Sequence, residues 1–130
     1  MRLLSVFVLA CACALMTVKL ASAADDKSDS GKATLTGVLI DQACGSKMTE
    51  KDNPEQAAAS HPRACAMKDA CAKSGYGVIV GKELVKFDEN GNKLAKDFLQ
   101  NSKEESNLRV NVEGTRHGDQ IDVTSIKPAA

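Results

Sequence analysis

The chain has 130 residues, of which 17 are basic and 17 acidic, so it carries no formal net charge. Without its first 23 residues it keeps 107, with 15 basic against 17 acidic, a charge of −2. That balance gives neither nucleic acid nor an anionic membrane surface a reason to bind, and the length is that of one domain.

Those first residues, MRLLSVFVLACACALMTVKLASA, read as a signal peptide (1–23). Arg2 supplies a positive start, Leu3 to Val18 is an uncharged apolar run, and Ala21-Ser22-Ala23 fits the small-x-small cleavage pattern. The run is too short and wrongly flanked to be an integral membrane span. Val8-Leu9-Ala10 before Cys11 loosely resembles a lipidation box, although the apolar stretch ahead of it would be unusually short. The expected location is therefore periplasmic or extracellular, where a pair of thiols usually oxidises.

Residues 24–32, ADDKSDSGK, have nothing to bury and read as a disordered leader, leaving 33–127 as the domain. ATLTGVLID (33–41) alternates threonine with aliphatic residues, as a strand does. Residues 42–61 are polar, contain Gly45 and Pro54, and predict a loop with a helical turn at 54–59. PRACAMKDACAKS (62–74) lacks β-branched residues and predicts one helix, stopped at Gly75. GYGVIVG (75–81) and ELVKFD (83–88) predict two strands joined tightly at Gly81-Lys82. A turn is expected at 89–92. A short amphipathic helix follows at 93–101, with Leu94, Phe98 and Leu99 on its apolar side. Finally 107–116 and 120–126 predict a hairpin turning at His117-Gly118-Asp119. Leu108, Val110 and Val112 share one face of it, as do Ile121 and Val123.

The expected fold is mainly β with two short helices. It is a five-stranded, OB-like Greek-key barrel with a cysteine-bearing helical insertion between its first two strands. An α+β sandwich is the competitor, and a closed sheet is favoured because it removes exposed edges from so small a domain.

TGVLIDQACG (36–45), HPRACAMKDACAKSGYGVIV (61–80) and LRVNVEGTRHGDQIDVTSI (108–126) together resemble small secreted bacterial proteins of OB-like fold and largely uncharacterised function. The closing strand, Gly-Thr, Gly-Asp, strand also resembles the last hairpin of bacterial periplasmic OB-fold proteins. The resemblance spans about the whole mature domain and implies a fold and a compartment, not a reaction.

The chemistry rests on Cys44, His61, Cys65 and Cys71. In one continuous helix Cys65 and Cys71 would stand roughly 9 Å apart along the axis, too far for a disulfide. Antiparallel pairing sets Asp41, at the end of the first strand, beside Gly75 and Tyr76 at the start of the second. A Cys44–Cys71 disulfide is therefore expected to staple the insertion, contributing roughly 3 kcal/mol. Cys65 is then either a buried small hydrophobe or a reactive thiol assisted by His61. The competing reading is a metal site, with three thiolates and one imidazole suited to zinc or copper, and Met67 adding a thioether for Cu(I). Against it, zinc sites usually show C-x2–4-C, whereas this chain has C-x5-C.

Asp41 and Tyr76 could line a ligand groove, but an Asp at a strand end usually caps the next turn and a lone strand tyrosine usually packs. Lys103, Glu104 and Glu105 read as a solvated loop. No phosphate loop, HExxH or G-x-S-x-G occurs. The expected role is a non-enzymatic binding module for a small ligand, metal ion or protein. Thiol redox chemistry at Cys65 and an envelope structural role are the alternatives.

Overall fold

A computed structural model describes residues 31–130. The expected signal peptide, the lipidation box and most of the leader lie outside the described residues.

The chain runs β1 (Gly31–Asp41), α1 (Gln42–Met48), α2 (Pro54–Ala59), α3 (Arg63–Ala66), α4 (Asp69–Lys73), β2 (Tyr76–Val80), β3 (Glu83–Phe87), α5 (Glu89–Asn101), β4 (Arg109–His117) and β5 (Gln120–Pro128). The fold is mixed α/β. Its five strands form one sheet whose order, β1-β2-β3-β5-β4, returns to β1, so the sheet closes on itself. All pairings are antiparallel except β3 with β5, where Phe87 stands opposite Ile121.

Closure depends on β1 serving two neighbours. Its first part pairs with β4, from Gly31 opposite Arg116 to Val38 opposite Arg109, and its last part with β2, from Val38 opposite Ile79 to Asp41 opposite Tyr76. Gly37 sits at the changeover, where an added Cβ would stand 2.2 Å from the Ile79 carbonyl oxygen. Only glycine admits that approach. Gly31 and Lys32, expected in the leader, are already paired in β1.

Inside the sheet, Leu39, Val78, Val85, Phe87, Val110, Val112, Ile121 and Val123 pack with Ala95 and Leu99 of α5. The period-two pattern expected for the closing hairpin therefore points inward as read. On the opposite face, Val38, Ile40, Ile79 and Leu84 are covered by Ala58, Cys44 and Met48. Both faces of β1 are thus buried from Val38 to Asp41, whereas its earlier half alternates.

The helical content departs from expectation, with five helices rather than two among the described residues. Residues 42–48 form a helix because Asp41 caps it, and only the turn at 54–59 matches the reading of that segment. The stretch 62–74 is two helices, broken where Lys68 adopts extended backbone. Helix α5 begins at Glu89 rather than 93: the Asp88 carboxylate accepts the Gly91 N–H and turns the expected turn into a capped first coil. No helix among the described residues is long and apolar enough to cross a membrane.

Candidate functional site

Asp41 is the last residue of β1 and the N-cap of α1. It is fully buried. Its side chain lies on the same side of the strand as Leu39, facing the end of the interior. One carboxylate oxygen, Oδ1, accepts the Cys44 backbone N–H at 2.9 Å, which is the capping role expected of it. The other, Oδ2, is buried with no nitrogen or oxygen partner, and the Cys44 and Cys71 thiols are the side chains that hydrogen-bond to this carboxylate.

The inserted segment brings Cys44 and Cys71 to that carboxylate and His61 to its Oδ2. Chain return is fixed by backbone bonds: the Gln42 N–H donates to the Gly75 carbonyl at 2.8 Å, and the Ala43 N–H donates to Ser74 Oγ at 3.1 Å. The Ser74 hydroxyl in turn donates to the Cys71 carbonyl at 2.6 Å. Gly75, at φ +85°, makes the reversal that an L side chain rarely adopts. These bonds hold the start of α1 against the end of α4. As a result a carboxylate oxygen of Asp41, Cys44 Sγ and Cys71 Sγ all lie within 4.8 Å of one another.

His61 follows α2 and is 9 % exposed. Its Nε2 faces Asp41 Oδ2 at 3.8 Å and is buried without a hydrogen-bond partner. That distance is too long for a hydrogen bond. Two buried polar atoms thus confront each other across a gap, and the unsatisfied ring nitrogen costs about 1–3 kcal/mol. Cys65, on α3, is half-buried and lies near both Cys44 and Cys71.

Burial pushes the Cys44 thiol up to about 11, with the charge of Asp41 the next cause. Cys71 and Tyr76 are raised in the same order, burial first and Asp41 second. Among the described residues the only basic side chain within 4 Å of the Asp41 carboxylate is the His61 ring.

Several expectations change. Cys44 and Cys71 do meet, as the pairing of Asp41 with Tyr76 required, but they are not joined. All three cysteines are free thiols, and the two lie too far apart for a bond of about 2.05 Å. The argument that separated Cys65 from Cys71 assumed one helix, and α3 and α4 are two. Tyr76 is core: its ring is buried and its hydroxyl donates to the Ala66 carbonyl at 3.1 Å, so no stacking face is offered. Met67 is 38 % exposed, with its sulfur 3.7 Å from an Arg63 nitrogen. Glu105, expected in a solvated loop, accepts the Arg63 N–H through its carbonyl, and its exposed carboxylate accepts from the Arg63 guanidinium at 3.3 Å.

Sequence reasoning considered Asp41 but left it out of the metal set. The signal that would have included it is its place opposite Tyr76, which sets it between Cys44 and Cys71 in the chain's return path.

No protein-family model, curated protein or solved structure matches this chain.

Proposed function

We propose that the chain is a small exported binding module whose five strands form an OB-like barrel, and that it holds a transition-metal ion where β1 meets the inserted helices. The OB-like reading is supported by the strand order, by the parallel pairing of β3 with β5 and by α5 between β3 and β4. The ligands are Asp41, Cys44, His61 and Cys71, with Cys65 in reserve beside them.

One observation carries this reading: Asp41 Oδ2 and His61 Nε2 are both buried, face each other at 3.8 Å without a hydrogen bond, and Asp41 stands beside two free thiols. Buried polar atoms in folded proteins have partners. An ion between them satisfies both at once, and supplies the positive charge that the raised thiols and buried carboxylate lack. Metal binding deprotonates the thiols, so protons leave as the ion enters.

Thiol redox chemistry at Cys44 or Cys71, as distinct from the Cys65 thiol singled out in the sequence, fits less well. It needs a thiolate stabilised by positive surroundings, and Cys44 and Cys71 are shifted the opposite way.

The test is native mass spectrometry of the reduced protein, titrated with zinc and then with chelator. One ion per chain, lost to the chelator, is the expected outcome. A protein that stays metal-free at every ratio refutes the reading.

A further inference from the structure

We infer that the ion is a tetrahedral, borderline divalent cation of the zinc class, and that Asp41 is the ligand that selects it over Cu(I). This rests on the metal reading above and narrows it.

The donor set is mixed: two sulfurs, one imidazole nitrogen and one carboxylate oxygen. Zinc accepts all three kinds in a four-coordinate shell. With Zn–S about 2.3 Å and Zn–N or Zn–O about 2.0–2.2 Å, neighbouring donors on a tetrahedral ion stand about 3.3–3.8 Å apart. The gap between His61 Nε2 and Asp41 Oδ2, 3.8 Å, is a few tenths of an ångström wider than the roughly 3.3–3.6 Å that a nitrogen–oxygen pair on such an ion spans. The carboxylate oxygen and the two sulfurs, within 4.8 Å of one another, need a contraction of about 1 Å, and the His61 ring, which lies outside that group of three, must swing toward the sulfurs to complete the shell.

Other ions fit worse. Calcium and magnesium take six or more oxygens, and Asp41 is the only carboxylate in the cluster. Cu(I) prefers soft sulfur ligands and gains little from a carboxylate. The thioether that would serve it, on Met67, is occupied against Arg63. Charge points the same way. Two thiolates and a carboxylate sum to −3, which a divalent ion reduces to −1 and a monovalent one only to −2, in a place where Asp41 has no contact with water. Four protein donors also close the shell, which is the pattern of a structural ion rather than a catalytic one.

The experiment compares zinc and Cu(I) affinities of the reduced protein and of Asp41→Asn, which keeps the helix-capping oxygen and removes the charge. Expected is a loss of about 100-fold or more for zinc, beyond the 10–100-fold seen on removing a ligand's supporting group, with less than about 10-fold change for Cu(I) on the softness argument. Met67→Leu should leave zinc affinity unchanged. If Asp41→Asn binds zinc normally while Cys44→Ser and Cys71→Ser do not, the inference falls and the metal site stands. If the unmodified protein binds neither zinc nor Cu(I), both fall. Cadmium-113 NMR of the unmodified protein needs no variant to fold: a shift typical of two sulfur ligands supports the inference, and one typical of three overturns it.

Discussion

The closed sheet and the inserted segment between β1 and β2 are held by different forces. The sheet buries a continuous set of Leu, Ile, Val and Phe side chains around α5, with every strand paired on both sides. The insertion has four helices of four to seven residues, too short to be stable alone. Of its alanines, only Ala58 and Ala66 are fully packed. Its order comes instead from polar attachments: Gln42 and Ala43 to the Ser74–Gly75 turn, Tyr76 to Ala66, and Glu55 to both Gly81 and Arg109. Burial is additive and tolerant of loss, whereas a few attachments are not, so the two regions should respond to different insults.

The strongest way to separate them is the ion. At a zinc concentration 1,000 times the dissociation constant, binding adds about 4 kcal/mol. Hydrogen exchange should show that protection concentrated in 42–75, with the strands changing little. Uniform protection across the chain would erase the contrast. Next comes the sheet's own core. Leu39→Ala should cost about 3 kcal/mol in chemical denaturation, within the usual range for buried leucine, and should lower the stability of both regions together. A drop confined to the insertion would mean the sheet is not the foundation.

Tyr76→Phe is a smaller and more local probe. It removes the hydroxyl that satisfies the Ala66 carbonyl and should cost about 1–2 kcal/mol. Amide exchange in α3 and α4 should speed up, with zinc affinity falling through misplacement of Cys71. The smallest effect is acid-dependent. Glu55 is held below the usual carboxylate range, first by the Gly81 N–H and then by Arg109. A depressed carboxyl stabilises the fold above its unfolded value of about 4.3 and loses that contribution as pH falls through the lower folded value. Being partly exposed, the pair is worth less than about 1 kcal/mol. Glu55→Gln should flatten that part of the pH–stability curve, and an unchanged slope would show that the attachment carries nothing.

The same division explains what could be read from the sequence. Strands announce themselves by alternation, so the core residues of β4 and β5 and the meeting of Asp41 with Tyr76 followed from pattern alone. The insertion did not. Composition favoured one helix over 62–74, but the Ala66 carbonyl is taken by Tyr76 and the Arg63 N–H by the Glu105 carbonyl. Such tertiary bonds outweigh propensity. Asn90-Gly91 looked like a turn because its cap, Asp88, also binds the Val123 N–H, a partner 35 residues away. At the site, cysteines and histidine were visible as candidates. The buried second oxygen of Asp41 was not, because a capping aspartate looks complete until His61 is seen to face its other side.

The long reach of β1 has a practical meaning for anyone handling the molecule. Gly31 and Asp41 are opposite ends of an 11-residue strand, and at about 3.3 Å per residue they stand up to about 33 Å apart. Anything fastened ahead of Gly31, such as an affinity handle, a dye or a solid support, is anchored at the far end from the thiols. A surface that grips the protein there leaves the end of the sheet that carries the partly buried Cys44, Cys65 and Cys71 unobstructed by the attachment.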